Sequence, residues 1–174
     1  MIGWTDRPAD LSDHAALDRL RAHLPPTAPI VSSDLVRAVA TAETLGRMRC
    51  MPPRRDLREI HFGAWEGLRF AEAEARDATL IRMFWEEPGA VSAPGGESWG
   101  ALQTRVNAAV QSLLADHTGD LIVVAHFGVI LTQVERALGI PTTEAFAQKI
   151  EPLSVTCIEH AEGGARLLSV NHLP

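Results

Sequence analysis

Three side chains in this sequence could act together on an anion: Arg37, Glu59 and His126. His126 follows the apolar run Leu121-Ile122-Val123-Val124-Ala125 and precedes Phe127-Gly128. A short run rich in β-branched residues reads as a strand buried on both faces. Gly128 then permits a tight turn into a helix expected over residues 129–138. His126 is thereby expected at the carboxyl end of a parallel strand, beside a helix N-terminus. Open α/β sheets hold ligands at such places, where backbone N–H groups and the helix dipole favour an anion. Taken alone, a histidine there reads as a strand-end cap or packing residue. Arg37 is expected in the first turn of a second helix, where a cation has the wrong sign for the macrodipole. That position suits an anion site and a solvated arginine equally. Glu59 opens Glu59-Ile60-His61-Phe62-Gly63-Ala64-Trp65-Glu66-Gly67, a stretch with too many special side chains for a mere connection. Converging, the three suit phosphoryl chemistry. The arginine grips phosphate oxygens in a fork, the histidine stabilises the equatorial oxygens, and Glu59 exchanges a proton with the leaving group.

The elements that must position them alternate. Asp10-Leu11-Ser12-Asp13 offers caps for a first helix with Ala15, Ala16, Leu17, Leu20 and Leu24 on its apolar face, stopped by Pro25-Pro26. Residues 28–32 form a short strand, and Ser33-Asp34 caps a helix from Leu35 to about Met48. Residues 54–58 lead by a short strand into the Glu59 loop. Residues 70–85 form one or two helices, with Ile81, Phe84 and Trp85 packing inward. Gly95-Gly96-Glu97-Ser98 introduces a long amphipathic helix over 99–117. Beyond the 129–138 helix come a small helix at 143–148 and two strands, 153–159 and 166–170, joined by a turn containing Gly163-Gly164. Strands alternating with helices imply one α/β domain spanning 1–174, three layers deep with a mostly parallel sheet.

Composition sets the frame. The chain has 174 residues, 46% hydrophobic and 22% charged, with a net charge of −6. That balance fits a globular core and disfavours a nucleic-acid or anionic-membrane partner. Cys50 and Cys157 lack metal-ligand or CxxC spacing and read as free thiols of a reducing compartment. No apolar run is long enough to span a bilayer, and the N-terminus has no signal-peptide pattern. A cytoplasmic location is expected.

Four stretches in order are similar to a known pattern. Ser33-Asp34-Leu35-x-Arg37-Ala38-x-x-Thr41-Ala42, Leu57-x-Glu59-x-x-Phe62-Gly63-x-Trp65-Glu66-Gly67, Gly95-Gly96-Glu97-Ser98 and Val124-Ala125-His126-x-Gly128-Val129-Ile130 resemble the histidine phosphatase superfamily, also called phosphoglycerate-mutase-like. Gly3-Trp4-Thr5-Asp6-x-Pro8 and Asn171-His172 extend the likeness over nearly the whole chain. The resemblance implies a metal-independent two-step reaction on a small phosphorylated substrate. One histidine takes the phosphoryl group covalently, a second histidine and two arginines bind it, and an acid serves the leaving group. Carried over, Arg37 is a phosphate-binding arginine, His126 the second histidine, Glu59 the general acid, and Ser98 a further pocket residue. Ile60 occupies a position that is arginine in the mutases, which favours a phosphatase. Phe127 replaces a usual glycine, and Leu131 a frequent arginine.

The resemblance also implies a strand ending in Arg-His-Gly ahead of the segment that Gly3-Trp4-Thr5-Asp6 resembles, and the sequence begins at that later segment. His14, His23, His61, His117, His160 and His172 stand in other contexts, His61 being read as pocket lining or structure. The expectation is a site without its nucleophile, either because Met1 is an internal start or because the protein binds phosphate esters without turnover. The first central strand is expected to be absent. Its slot beside residues 121–125 is expected to be filled by a swapped segment or by a strand of a homodimer partner.

Overall fold

The computed structural model describes residues 1–46 and 50–174. A parallel pair, β1 (Ile30–Ser32) and β2 (Ile122–Val124), lies at its centre, in register Ile30 to Ile122 and Ser32 to Val124. Between them in the chain come α2 (Val36–Leu45), α3 (Phe70–Arg76), α4 (Ala78–Glu86) and α5 (Trp99–Asp116), after α1 (His14–His23). The chain continues through α6 (Phe127–Leu138) and α7 (Thr142–Phe146) to an antiparallel hairpin, β3 (Val155–Ala161) and β4 (Gly164–His172). This is the expected α/β class, with the parallel pairing confined to the centre.

Local chemistry accounts for the helix ends. The Asp13 carboxylate accepts the Ala16 N–H at 2.9 Å and starts α1. Helix α2 is capped from a distance instead. Asp34 is drawn into a forked pair with Arg58 at 2.6 and 2.8 Å, and Asp6, thirty residues upstream, accepts the Val36 N–H at 2.8 Å. A cap of this kind stabilises a helix by about 1 kcal/mol. Gly46 closes α2 in the left-handed region at φ 54°, and the expected continuation to Met48 falls outside the described residues.

Two expectations about strands are corrected. Residues 54–58 form a 3-10 turn, Arg55–Leu57, not a strand. Alongside β1 the chain makes only isolated parallel bridges, Ile30 to Cys50 and Ser33 to Arg54. Pro52 and Pro53 lie between them and have no N–H to continue a ladder. Strand β2 is not buried on both faces either, for Val123 is 38% exposed. The Ile122 N–H donates to the Pro29 carbonyl and the Ser33 N–H to the Val124 carbonyl, both at 3.0 Å. Alternation along the ladder therefore turns the Val123 peptide groups to the opposite edge, where β2 pairs with no strand among the described residues. The hairpin shares a core with β2 without pairing to it. Leu153 and Val155 join Ile122 and Val124 against buried Leu20, Leu24, Ile30, Ala42 and Leu45.

A second core forms on the other side. Trp65, Phe84, Trp99, Leu102, Val106 and Leu131 are buried together, each contributing roughly 1.5–3 kcal/mol of transfer free energy. Leu131, where an arginine was the alternative, is wholly enclosed. No helix among the described residues is long and apolar enough to cross a membrane.

Candidate active site

The expected trio is brought together. His126 is the N-cap residue of α6, at the carboxyl end of β2, and is 8% exposed. Arg37, from the first turn of α2, donates from Nε to His126 Nδ1 at 3.3 Å. Its other nitrogens donate to the carbonyls of Thr5 at 3.1 Å and Gly3 at 2.7 Å. Three of its five N–H groups are thus used, which fixes the guanidinium and leaves two to give. Since His126 accepts at Nδ1, its proton resides on Nε2, which is buried and has no partner among the described residues. Burial foremost, then the Arg37 and Arg105 cations, push His126 down to about 3. The ring is therefore a neutral N–H donor at ordinary pH.

Glu59 lies against the same helix start. Its Oε2 accepts the Gly128 N–H at 2.9 Å and its Oε1 the Ile60 N–H at 2.8 Å. The carboxyl is 7% exposed. Burial raises its pKa and outweighs the two N–H bonds and the nearby Arg37 and Arg105, which act the other way. A proton held more tightly than usual is what a general acid requires. Gly128 has a steric reason to be glycine, because a Cβ there would collide with Glu59 Oε1 and meet Leu102 Cδ2 at 3.3 Å.

Ser98 stands apart. Its Oγ accepts the Ala101 N–H at 3.2 Å and caps α5, and no hydrogen bond joins it to Arg37, Glu59 or His126. Nor does another histidine hydrogen-bond or stack with the trio among the described residues. His61 stacks on Trp4 at 4.5 Å and His23 on His172 at 4.7 Å, while His117 Nδ1 meets the Leu113 carbonyl. A hollow of about 310 Å³ lined by Cys50 and His117 contains none of the trio.

Sequence reasoning passed over the groups that hold the site in place. Arg105 of α5 forms a fork with Glu97 at 2.8 and 2.7 Å. It also donates to the carbonyls of Asp56, Arg58 and Glu59. The Glu66 carboxylate accepts N–H bonds from Gly3, Trp4, Thr5 and Phe62, and so anchors the segment that meets Arg37. Trp4 Nε1 donates to the Glu59 carbonyl at 2.8 Å, with Arg55 and Arg58 about 5 Å from its ring centre.

Comparison with known proteins identifies the family. The model of the histidine phosphatase superfamily (branch 1) matches residues 10–173, and the chain belongs to that family. It is 34% identical over 148 residues to a bifunctional protein of Mycobacterium tuberculosis, covering 83% of this chain and 40% of that protein. It is 36% identical over 123 residues to glucosyl-3-phosphoglycerate phosphatase of the same species, covering 64% of this chain and 55% of that one. The chain thus spans about half the length of such relatives. Among solved structures, YhfR of Bacillus stearothermophilus superposes with a TM-score of 0.88 at 29% identity, covering 100% of this chain and 89% of that one. A mycobacterial glucosyl-3-phosphoglycerate phosphatase gives 0.80 at 28%, covering 99% and 90%.

Proposed function

We propose that the chain supplies the phosphate-binding and proton-donating side of a phosphomonoester hydrolase that works through a phosphohistidine. The observation that carries this reading is the buried, unpartnered Nε2–H of His126 beside a fixed guanidinium. Arg37 and His126 bind the phosphoryl oxygens, and Glu59 gives its proton to the oxygen that leaves. A relative named for phosphatase activity on glucosyl-3-phosphoglycerate supports the reaction type. Ser98 belongs to the reading only as the residue that shapes the start of α5. The 174 residues are proposed to act as one domain in the cytoplasm, where Cys50 and Cys157 stay free thiols. Among the described residues no other histidine hydrogen-bonds or stacks with the trio, so the chain by itself binds phosphate esters without turning them over, and hydrolysis requires a nucleophilic histidine supplied to this site.

Calorimetric titration with inorganic phosphate and with orthovanadate tests the reading. Both are expected to bind, and Arg37→Ala is expected to weaken them about 10- to 100-fold, the worth of charge-assisted hydrogen bonds. A folded protein that ignores both anions at millimolar concentration, or an alanine variant that binds them as before, refutes it.

The exposed edge of β2 belongs to the same proposal. An unpaired, apolar strand edge is a template for another strand, and we propose that a swapped segment or a strand from a second copy covers it. Light scattering is expected to show a dimer, with the Val123 amide protected from hydrogen exchange. A monomer whose Val123 amide exchanges at the rate of an unstructured peptide overturns this.

A further inference from the structure

Beside Glu59 the site opens onto a pocket whose chemistry the phosphate ligands do not use. Phe62, Phe84, Trp85, Trp99 and Phe146 surround it, with Glu59 and Gly128 at its base. The rings hold one another edge to face: Phe84 against Trp85 at 5.1 Å, Trp85 against Phe146 at 5.5 Å, Phe146 against Trp99 at 4.7 Å. Such contacts fix the wall, because each ring's positive edge meets its neighbour's negative face. Phe127 also lines it and is 44% exposed although flanked by buried His126 and Gly128.

Resting on the reading of Arg37, His126 and Glu59 given above, we infer that this pocket receives the leaving group, and that the leaving group is flat and apolar, as in an aryl phosphate. Two features select that class. The space is about 30 Å³ and partly open to solvent, roughly the share of one water molecule. It admits the edge of a ring, while the rest of the ring stacks on Phe127. Among the described residues the polar side chains bordering it are Glu59, whose oxygens each accept a backbone N–H and whose proton goes to the leaving oxygen, and the two indoles. Trp99 spends its N–H on Glu135 at 3.0 Å, and the Trp85 N–H has no partner among the described residues. A polyhydroxyl leaving group would lose its hydration here and, beyond the Glu59 proton, meet one free donor, a costly exchange. A ring loses little and gains stacking, and a single acceptor on its rim could engage Trp85.

The test is calorimetric titration of the chain with phenyl phosphate, glycerol 3-phosphate and inorganic phosphate. Phenyl phosphate is expected to bind about 10-fold more tightly than glycerol 3-phosphate, and Phe127→Ala to bring the two esters within about 3-fold of each other. Equal affinities in the unaltered chain, with inorganic phosphate still bound, overturn the leaving-group assignment and leave the phosphate site standing. A preference that survives Phe127→Ala unchanged also overturns it. Binding of neither ester nor phosphate overturns the assignment together with the reading on which it rests.

Discussion

Replacing Arg105 by alanine is expected to lower the unfolding free energy by about 3 kcal/mol and the melting temperature by roughly 10 °C. All five N–H groups of this guanidinium are engaged, two on Glu97 and the others on the carbonyls of Asp56, Arg58 and Glu59. Alanine would leave the Glu97 carboxylate, whose side chain is only 19% exposed, with the His61 N–H and no cation, and would take their side-chain donor from the Asp56 and Arg58 carbonyls, while the Glu59 carbonyl keeps Trp4. Losing one partner of an enclosed pair costs more than the pair contributes, because the other charge stays behind desolvated. Arg105→Lys separates charge from geometry. An ammonium has three donors on one atom and cannot span both carboxylate oxygens and three carbonyls, so the lysine variant is expected to recover less than half of the loss. Chemical denaturation of the three proteins decides the matter. A lysine variant as stable as the original would mean that charge alone matters and that the fork does not organise the 56–59 segment.

Arg105 also shows why part of this site was legible in the sequence and part was not. His126 could be located because a β-branched run, a histidine and a glycine in succession leave few conformations open. Arg37 could be located because it follows the short strand β1; Glu59 was expected after a strand over 54–58, which is a 3-10 turn, and it reaches the same edge from that turn. Those are local patterns. Arg105 lies between Leu102 and Val106 on an amphipathic helix, where periodicity marks it only as a flank of the apolar stripe. Its carbonyl partners are 46 to 49 residues away in the chain, and nothing in its neighbourhood names them. The cap of α2 failed for the same reason. Ser33-Asp34 is a local capping signal, but the forked bond to Arg58 is the stronger use of Asp34, and Asp6 takes over the helix end. The exposure of Val123 was illegible in another way. Hydrophobic alternation reports which faces a strand can bury, and says nothing of how many neighbours its edges find.

Burial of His126 as a neutral ring has a consequence for stability that depends on pH with a definite sign. The unfolded histidine takes up a proton near 6.5, whereas the folded one resists until about 3. Between those values the unfolded chain binds more protons, so stability is lost as pH falls through the window and is fully present above it. The loss is of order 3–5 kcal/mol across the full window. Glu59 works in the opposite direction. Burial raises its folded pKa above the ordinary carboxylate value, so its contribution is present below the unfolded value and lost as pH rises through the folded one. Above the ordinary carboxylate value the two slopes oppose each other. His126→Gln separates them, since glutamine keeps an acceptor for Arg37 Nε and has no proton to gain. Other titrating groups, His160 and Glu66 among them, are common to both proteins and cancel in the difference. Urea unfolding of the two proteins from pH 3.5 to 7.5 is expected to give a difference in stability that grows in favour of the original as pH rises to about 6.5 and is flat beyond it. A difference independent of pH would mean that His126 protonates in the folded protein as readily as in the unfolded one. The ring would then be exposed to water, and its Nε2–H would no longer be the dry, unspent donor on which phosphate binding at this site depends.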